Sequence, residues 1–130
     1  MSTLLNNIIC VGAGSCIGGI ARYLISYAVQ STAASRFPWG TLIVNLIGCL
    51  LIGLIFGLID RGVQMSQSVR LLLTVGFCGG FTTFSTFVHE NSMLLGGTSG
   101  LLMCVLYASV SFGGGLLLVM AGMWMARAIA

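Results

Sequence analysis

Charge is what this chain has least of. Only 5% of its 130 residues are Asp, Glu, Lys or Arg, against roughly 25% in an ordinary soluble domain. Lysine is missing altogether; the cations are Arg22, Arg36, Arg61, Arg70 and Arg127, and the acids are Asp60 and Glu90. Charge this sparse excludes a nucleic-acid-binding surface and a polybasic lipid tether. Histidine occurs once, at His89, and the five cysteines (Cys10, Cys16, Cys49, Cys78, Cys104) stand apart in apolar stretches with no CxxC or Cys/His spacing. They read as small packing residues rather than a metal or redox centre. No nucleophile–base pair is evident, so an enzyme is not expected. The single proline, Pro38, follows the polar connector from Gln30 to Phe37 and suits the first turn of a helix, where its missing amide costs nothing.

In place of charge there is oil: 58% of the residues are hydrophobic and 19 are glycine. At 1.5 Å rise per residue, about 20 apolar residues cross a bilayer's hydrocarbon. The chain has room for four such spans, at about 4–29, 39–59, 68–95 and 101–126, with short loops and no extramembrane domain. An all-α integral membrane protein made of one four-span domain follows. The first span lacks the basic start of a signal peptide, and Asn6, Asn7 and several glycines interrupt it, so it is read as retained. Gly14/Gly18 and Gly53/Gly57 form GxxxG pairs, faces that let another helix come close. Gly12-Ala13-Gly14 echoes a dinucleotide fingerprint, but no strand precedes it.

Within the third span lies Gly76-Phe77-Cys78-Gly79-Gly80-Phe81-Thr82-Thr83-Phe84-Ser85-Thr86-Phe87. Gly79-Gly80 is a poor helix interior, and the hydroxyls beside it compete for main-chain groups, so a break is expected near mid-membrane. Freed carbonyls and amides in hydrocarbon cost several kcal/mol unless protein, water or an ion satisfies them; an interrupted helix therefore lines something, here an ion path. Phe84, Phe87 and Asn91 share one helical face, with Glu90 near it. Other polar residues inside the spans are Thr41 and Asn45 in the second, and Tyr107 and Ser111 in the fourth. Asn45 either bonds a neighbouring helix or presents its NH2 to an anion in transit. Ser111 is either satisfied by its i−4 carbonyl or continues a polar track. Arg22 either snorkels to the headgroups or points inward toward an anion or a carbonyl. The loop arginines lean toward cytoplasmic termini, but weakly, and a weakly biased chain can insert both ways.

Gly76-x-x-Gly79-Gly80-Phe81-Thr82-Thr83-Phe84-Ser85-Thr86-Phe87, preceded by Gly-Thr-Leu-x-x-Asn at Gly40 to Asn45 and Gly-x-x-Arg-Tyr at Gly19 to Tyr23, resembles the Fluc/CrcB family of fluoride channels. The resemblance covers nearly the whole chain. It implies a dual-topology homodimer of antiparallel copies, with two fluoride pores along the interface and a structural Na+ held between the copies by the main-chain carbonyls of Gly79 and Thr82. It assigns Phe84 and Phe87 to the pore as paired rings and Asn45 as its asparagine. Thr41, Ser85, Thr86, Tyr107, Ser111 and Glu90 fall along or near its polar track, and Arg22 at the vestibule. The activity implied is passive efflux that protects a bacterium from fluoride across its inner membrane, with fluoride and lipid as the partners. The competing reading is a small dual-topology exporter of guanidinium or cationic drugs, exchanging substrate for protons. Such an exporter needs a carboxylate deep in the membrane, and only Glu90 could serve.

Overall fold

The computed structural model describes residues 2–130, and its described residues form helices joined by short loops. Four stretches are long and apolar enough to cross a membrane: Ser2–Thr32, Trp39–Asp60, Gln67–Leu95 and Gly100–Ile129. Three of these are continuous helices: α1 (Ser2–Thr32), α2 (Trp39–Asp60) and α6 (Gly100–Ile129). Pro38 caps α2, one residue ahead of its first turn. The third stretch is assembled from pieces. It starts as α3 (Gln67–Leu71), capped by the Ser66 hydroxyl on the Val69 amide, and widens into a π-helix over Leu72–Cys78. It then tightens to one turn, α4 (Gly79–Phe81), breaks, and resumes as α5 (Phe84–Leu95).

The break lies at Thr82-Thr83, inside the expected stretch and just before Phe84, at the hydroxyls rather than at the Gly79-Gly80 pair beside them. Both threonines are extended, at φ/ψ −94°/160° and −149°/125°. The glycines stay helical because their lack of a side chain serves packing instead. A Cβ on Gly80 would come within 2.6 Å of the Ser15 carbonyl oxygen, and one on Gly76 within 2.9 Å of that of Val11. From the other side, a Cβ on Gly14 would meet the Phe77 amide at 2.8 Å, and one on Gly18 would collide with the Phe77 carbonyl. Gly14/Gly18 of α1 and Gly76/Gly80 of the third span are thus two facing GxxxG pairs, and their backbones touch. β-Branched threonines, by contrast, lose little in an extended conformation.

The second seam joins α2 to α6. Here Gly53 and Gly57 accept the backbone around Val119 and Met123, while Gly122 lies against Leu50 and Leu54. The break connects the two seams. Before it, the third span packs on α1; after it, α5 lies against α6 and α2. A straight helix could not serve both, so the interruption hands the chain from one packing partner to the other.

Candidate functional site

Asn45 holds the break open. Its Oδ1 accepts from the Thr83 amide at 2.8 Å, and its Nδ2 donates to the Thr83 carbonyl at 3.0 Å. In an uninterrupted helix the Thr83 amide would close on the Gly79 carbonyl four residues back. Turned to Asn45, it leaves that carbonyl without its helical donor. The Thr82 amide still reaches the Cys78 carbonyl, at 3.0 Å, so the helix ends there. The Thr83 side chain then starts α5, accepting from the Thr86 amide at 3.3 Å and donating to the Thr86 hydroxyl at 3.1 Å. Asn45 therefore bonds a neighbouring segment, as one of its two readings had it, and its partner is the backbone of the break itself.

Arg22 points inward. It is half-buried, and its Nη1 lies 3.4 Å from the Thr82 carbonyl oxygen, a long hydrogen bond from α1 to the break. Gly48 on α2 makes room on the opposite side, since a Cβ there would strike the Thr82 methyl group. Phe81, fully buried and stacked on Phe77 with centroids 5.5 Å apart, anchors the last turn before the break.

In front of the break is a cavity of about 450 Å³, lined among others by Asn45, Cys49, Gly79, Thr83, Phe84, Phe87 and Ser111. Two features mark it as more than a packing defect. The Ser111 hydroxyl is buried yet has no hydrogen-bond partner, so it is not satisfied by its own helix, and a buried polar group without a partner is costly. Phe84, on the cavity wall, leaves 76% of its surface uncovered, an exposed aromatic on a mostly apolar recess that holds a few polar groups. Gly79, Ser85 and Thr86 are exposed on the same stretch.

From this cavity a chain of contacts leads toward the loop end of α5. The Phe84 and Phe87 rings lie 6.0 Å apart, and Phe87 meets Tyr107 edge to face at 5.0 Å. Phe37, from the connector before α2, packs on Tyr107 the same way at 5.3 Å. Tyr107 is fully buried, and its hydroxyl donates to Glu90 Oε2 at 2.7 Å. The Thr41 hydroxyl donates to the other oxygen, Oε1, at 2.6 Å. Three helices thus converge on one half-buried carboxylate with both oxygens held by hydroxyl donors. Asn91 takes no part; it turns to the Phe87 carbonyl and to Cys104.

The structure so gathers the sequence-selected residues into two linked groups: Asn45, Gly79, Thr82, Phe84, Phe87 and Ser111 around the break, and Thr41, Tyr107 and Glu90 beyond it. Ser85 and Thr86 lie on the exposed start of α5, Ser85 with its hydroxyl 3.5 Å from that of Thr83. Three contributors were not singled out from sequence: Thr83, Gly48 and Phe37. Thr83 carried a signal, since Thr before an aromatic-rich helix is a favoured N-cap. Gly48 and Phe37 act through partners distant in sequence and carried none. Among the described residues, no cluster of three or more His, Cys, Asp or Glu side chains could hold a metal ion.

Comparison with known proteins places this arrangement. Residues 9–123 match the family described as CrcB-like protein, Camphor Resistance (CrcB). A protein of Phocaeicola vulgatus named fluoride-specific ion channel FluC is 42% identical over 130 residues, covering 98% of this chain and all of its own length. The protein of the same name from Chlorobaculum tepidum is 42% identical over 124 residues, 95% of this chain and 97% of the relative. That of Geobacter sulfurreducens reaches 50% over 91 residues, 70% of this chain and 73% of the relative. A family match that takes in the break, the Asn45 clamp and the Glu90 cluster, with relatives aligned nearly end to end, settles the lineage: this multi-pass membrane protein belongs to the CrcB family.

Proposed function

We propose that this protein is a fluoride-selective channel, letting fluoride leave a bacterial cell passively across the inner membrane through two pores at the interface of antiparallel copies. The observation that carries the proposal is the cavity at the break, where the unpartnered Ser111 hydroxyl sits on the same wall as the largely uncovered Phe84 ring. A buried donor without a partner suits a transient anion, and an exposed ring on an apolar helix suits a second copy that closes the pore. The relatives' shared name supplies the identity of the anion.

Fluoride is small and strongly hydrated, so a path must replace its water with donors yet not hold it fast. Ser111 supplies a hydroxyl, and Asn45 retains the second hydrogen of its NH2, the first being committed to Thr83. Phe84 and Phe87 supply ring edges, which carry the positive end of the aromatic quadrupole without a full charge that would trap the ion. Ser85 and Thr86 extend the hydroxyl supply along α5, and Arg22 brings positive potential to the break from behind. Toward the other end, fluoride reaching Tyr107 and Thr41 competes with the Glu90 carboxylate for their hydroxyl protons. That competition weakens binding there and favours departure.

The expected Na+ fits this backbone. Hard cations take oxygen ligands, and the Gly79 carbonyl, deprived of its helical donor and exposed, is of that kind. It and the Thr82 carbonyl, whose second lone pair remains beside the one facing Arg22, would hold the ion together with those of the second copy; the ion would supply an electrophilic partner for the Gly79 carbonyl that hydrocarbon leaves unsatisfied. Proton-coupled export of an organic cation is not favoured, because both Glu90 oxygens already have hydroxyl donors. The deciding experiment is efflux from liposomes loaded with fluoride or chloride, with potassium and valinomycin clamping the voltage and no proton gradient. Rapid fluoride efflux with negligible chloride efflux is expected. Guanidinium exchange driven by a pH gradient, without fluoride movement, would replace the channel reading with the exporter.

A further inference from the structure

Beyond the Glu90 cluster is a second cavity of about 440 Å³ that the break does not touch. It is lined by Arg36 and Pro38 from the connector before α2, by Glu90, Met93 and Leu94 of α5, and by the turn leading into α6. Glu90 is half-buried and Arg36 exposed, so the cavity leads from the carboxylate toward the loop surface. The chain direction makes Arg36 singular. α1 and the third span end at this side of the bundle and α2 and α6 begin at it, while Arg61, Arg70 and Arg127 lie at the opposite ends of α2, α3 and α6. Arg22 is well inside α1, at the break. Among the described residues of one copy, Arg36 is therefore the only arginine at this end, and an antiparallel second copy would bring Arg61, Arg70 and Arg127 to the same membrane face but not from within this cavity's own lining. Arg36 shares its cavity with the only glutamate in the chain.

We infer that Arg36 promotes anion passage at this mouth, a guanidinium whose field offsets the Glu90 charge for an anion entering or leaving past Thr41 and Tyr107. The inference rests on the channel reading above. A lone carboxylate on the floor of a recess repels anions, and low-dielectric walls focus that field toward the opening. A positive charge in the same recess offsets that field for an anion on approach. Arg36 does this without gripping the ion, because it remains exposed and hydrated. His89, adjacent to Glu90 in sequence, is exposed and does not line this cavity. The remaining lining is apolar or uncharged, so no other group of the same copy supplies the offset within this cavity.

The test compares Arg36→Lys, Arg36→Gln and Arg36→Glu with the wild-type protein in the fluoride efflux assay, at low and at high ionic strength. Arg36→Lys should conduct nearly as the parent does. Arg36→Gln should lower the fluoride rate several-fold and Arg36→Glu by about tenfold or more at low salt, the scale on which focused fields alter ion encounter. Both deficits should shrink at 1 M salt, where the Debye length is about 3 Å, whereas a merely structural defect would persist. Wild-type-like flux from Arg36→Glu at low salt overturns the inference, as does a deficit that salt does not change. Absence of fluoride flux from the wild-type protein itself would instead overturn the channel reading on which the inference rests.

Discussion

Replacing Asn45 with leucine tests whether one side chain keeps the third span broken. Leucine keeps the branching of asparagine at Cγ and suits α2 but carries two bulkier methyl groups, so the substitution removes two hydrogen bonds and adds some crowding, which acts in the same direction. The Thr83 carbonyl loses its donor at 3.0 Å, and the Thr83 amide loses its acceptor at 2.8 Å. Stranding a buried polar group costs about 1–3 kcal/mol, so the pair is worth roughly 2–6 kcal/mol to the broken conformation. The amide has a local alternative in the Gly79 carbonyl, four residues back, and bonding it recovers about 1 kcal/mol. At 1.4 kcal/mol per factor of ten, the remaining roughly 1–5 kcal/mol lowers the weight of the broken form by about fivefold to a few thousandfold. Fluoride efflux should fall accordingly, and the protein in detergent should unfold at lower denaturant or temperature, followed by Trp39 and Trp124 fluorescence. Asn45→Asp keeps an acceptor for the amide but sets a carboxylate oxygen against the Thr83 carbonyl, so its flux should fall as well. Wild-type flux and stability in both variants would refute the idea that the clamp governs the break.

Other expectations follow from the same geometry. Phe84→Ile and Phe87→Ile should each leave a folded protein with fluoride efflux reduced at least about tenfold, equivalent to about 1.4 kcal/mol of barrier. Only Phe87→Ile should also lose about 1 kcal/mol of stability, through its edge contact with Tyr107, and normal conduction in either variant would undo the ring-edge account. Tyr107→Phe removes one of two donors from Glu90 and should cost about 1.5–3 kcal/mol in thermal or denaturant unfolding, with altered flux; an unchanged melting curve would place the carboxylate in water instead. Gly80→Val pushes a side chain onto the Ser15 backbone and should destabilise by about 1–3 kcal/mol or more, whereas Gly19→Ala, which meets nothing within 4 Å, should be nearly silent in the same unfolding assay.

The four spanning helices were legible because hydrocarbon imposes its demand on every residue of a span, and the demand shows as long uncharged runs such as Trp39 to Ile59. The GxxxG pairs were legible for a related reason: small residues one turn apart have few uses in a bilayer other than close approach. The residue at which the third span breaks was not. Gly79-Gly80 offered the weaker local helix, yet backbone contact with α1 rewarded keeping it helical, and a reward from a distant segment leaves no trace in the glycines themselves. The π-helical turns over Leu72–Cys78 were equally invisible, since they follow from how the third span is fitted against α1. Among the candidate polar residues, residue type disclosed who takes part but not with whom. Nothing in the spacing of Thr41, Glu90 and Tyr107 says that two hydroxyls meet one carboxylate.

What joins these elements is the way each polar group in the spans is assigned. Most are spent on structure: Asn45 on the Thr83 backbone, Thr82 on the Cys78 carbonyl, and Thr41 and Tyr107 on Glu90. The Ser111 hydroxyl and the Gly79 carbonyl are left over, and both face the cavity at the break. One is a donor suited to an anion, the other an acceptor suited to a cation. Asn45 is tied to both: by taking the Thr83 amide it leaves the Gly79 carbonyl without its helical donor, and its own NH2 keeps one hydrogen uncommitted.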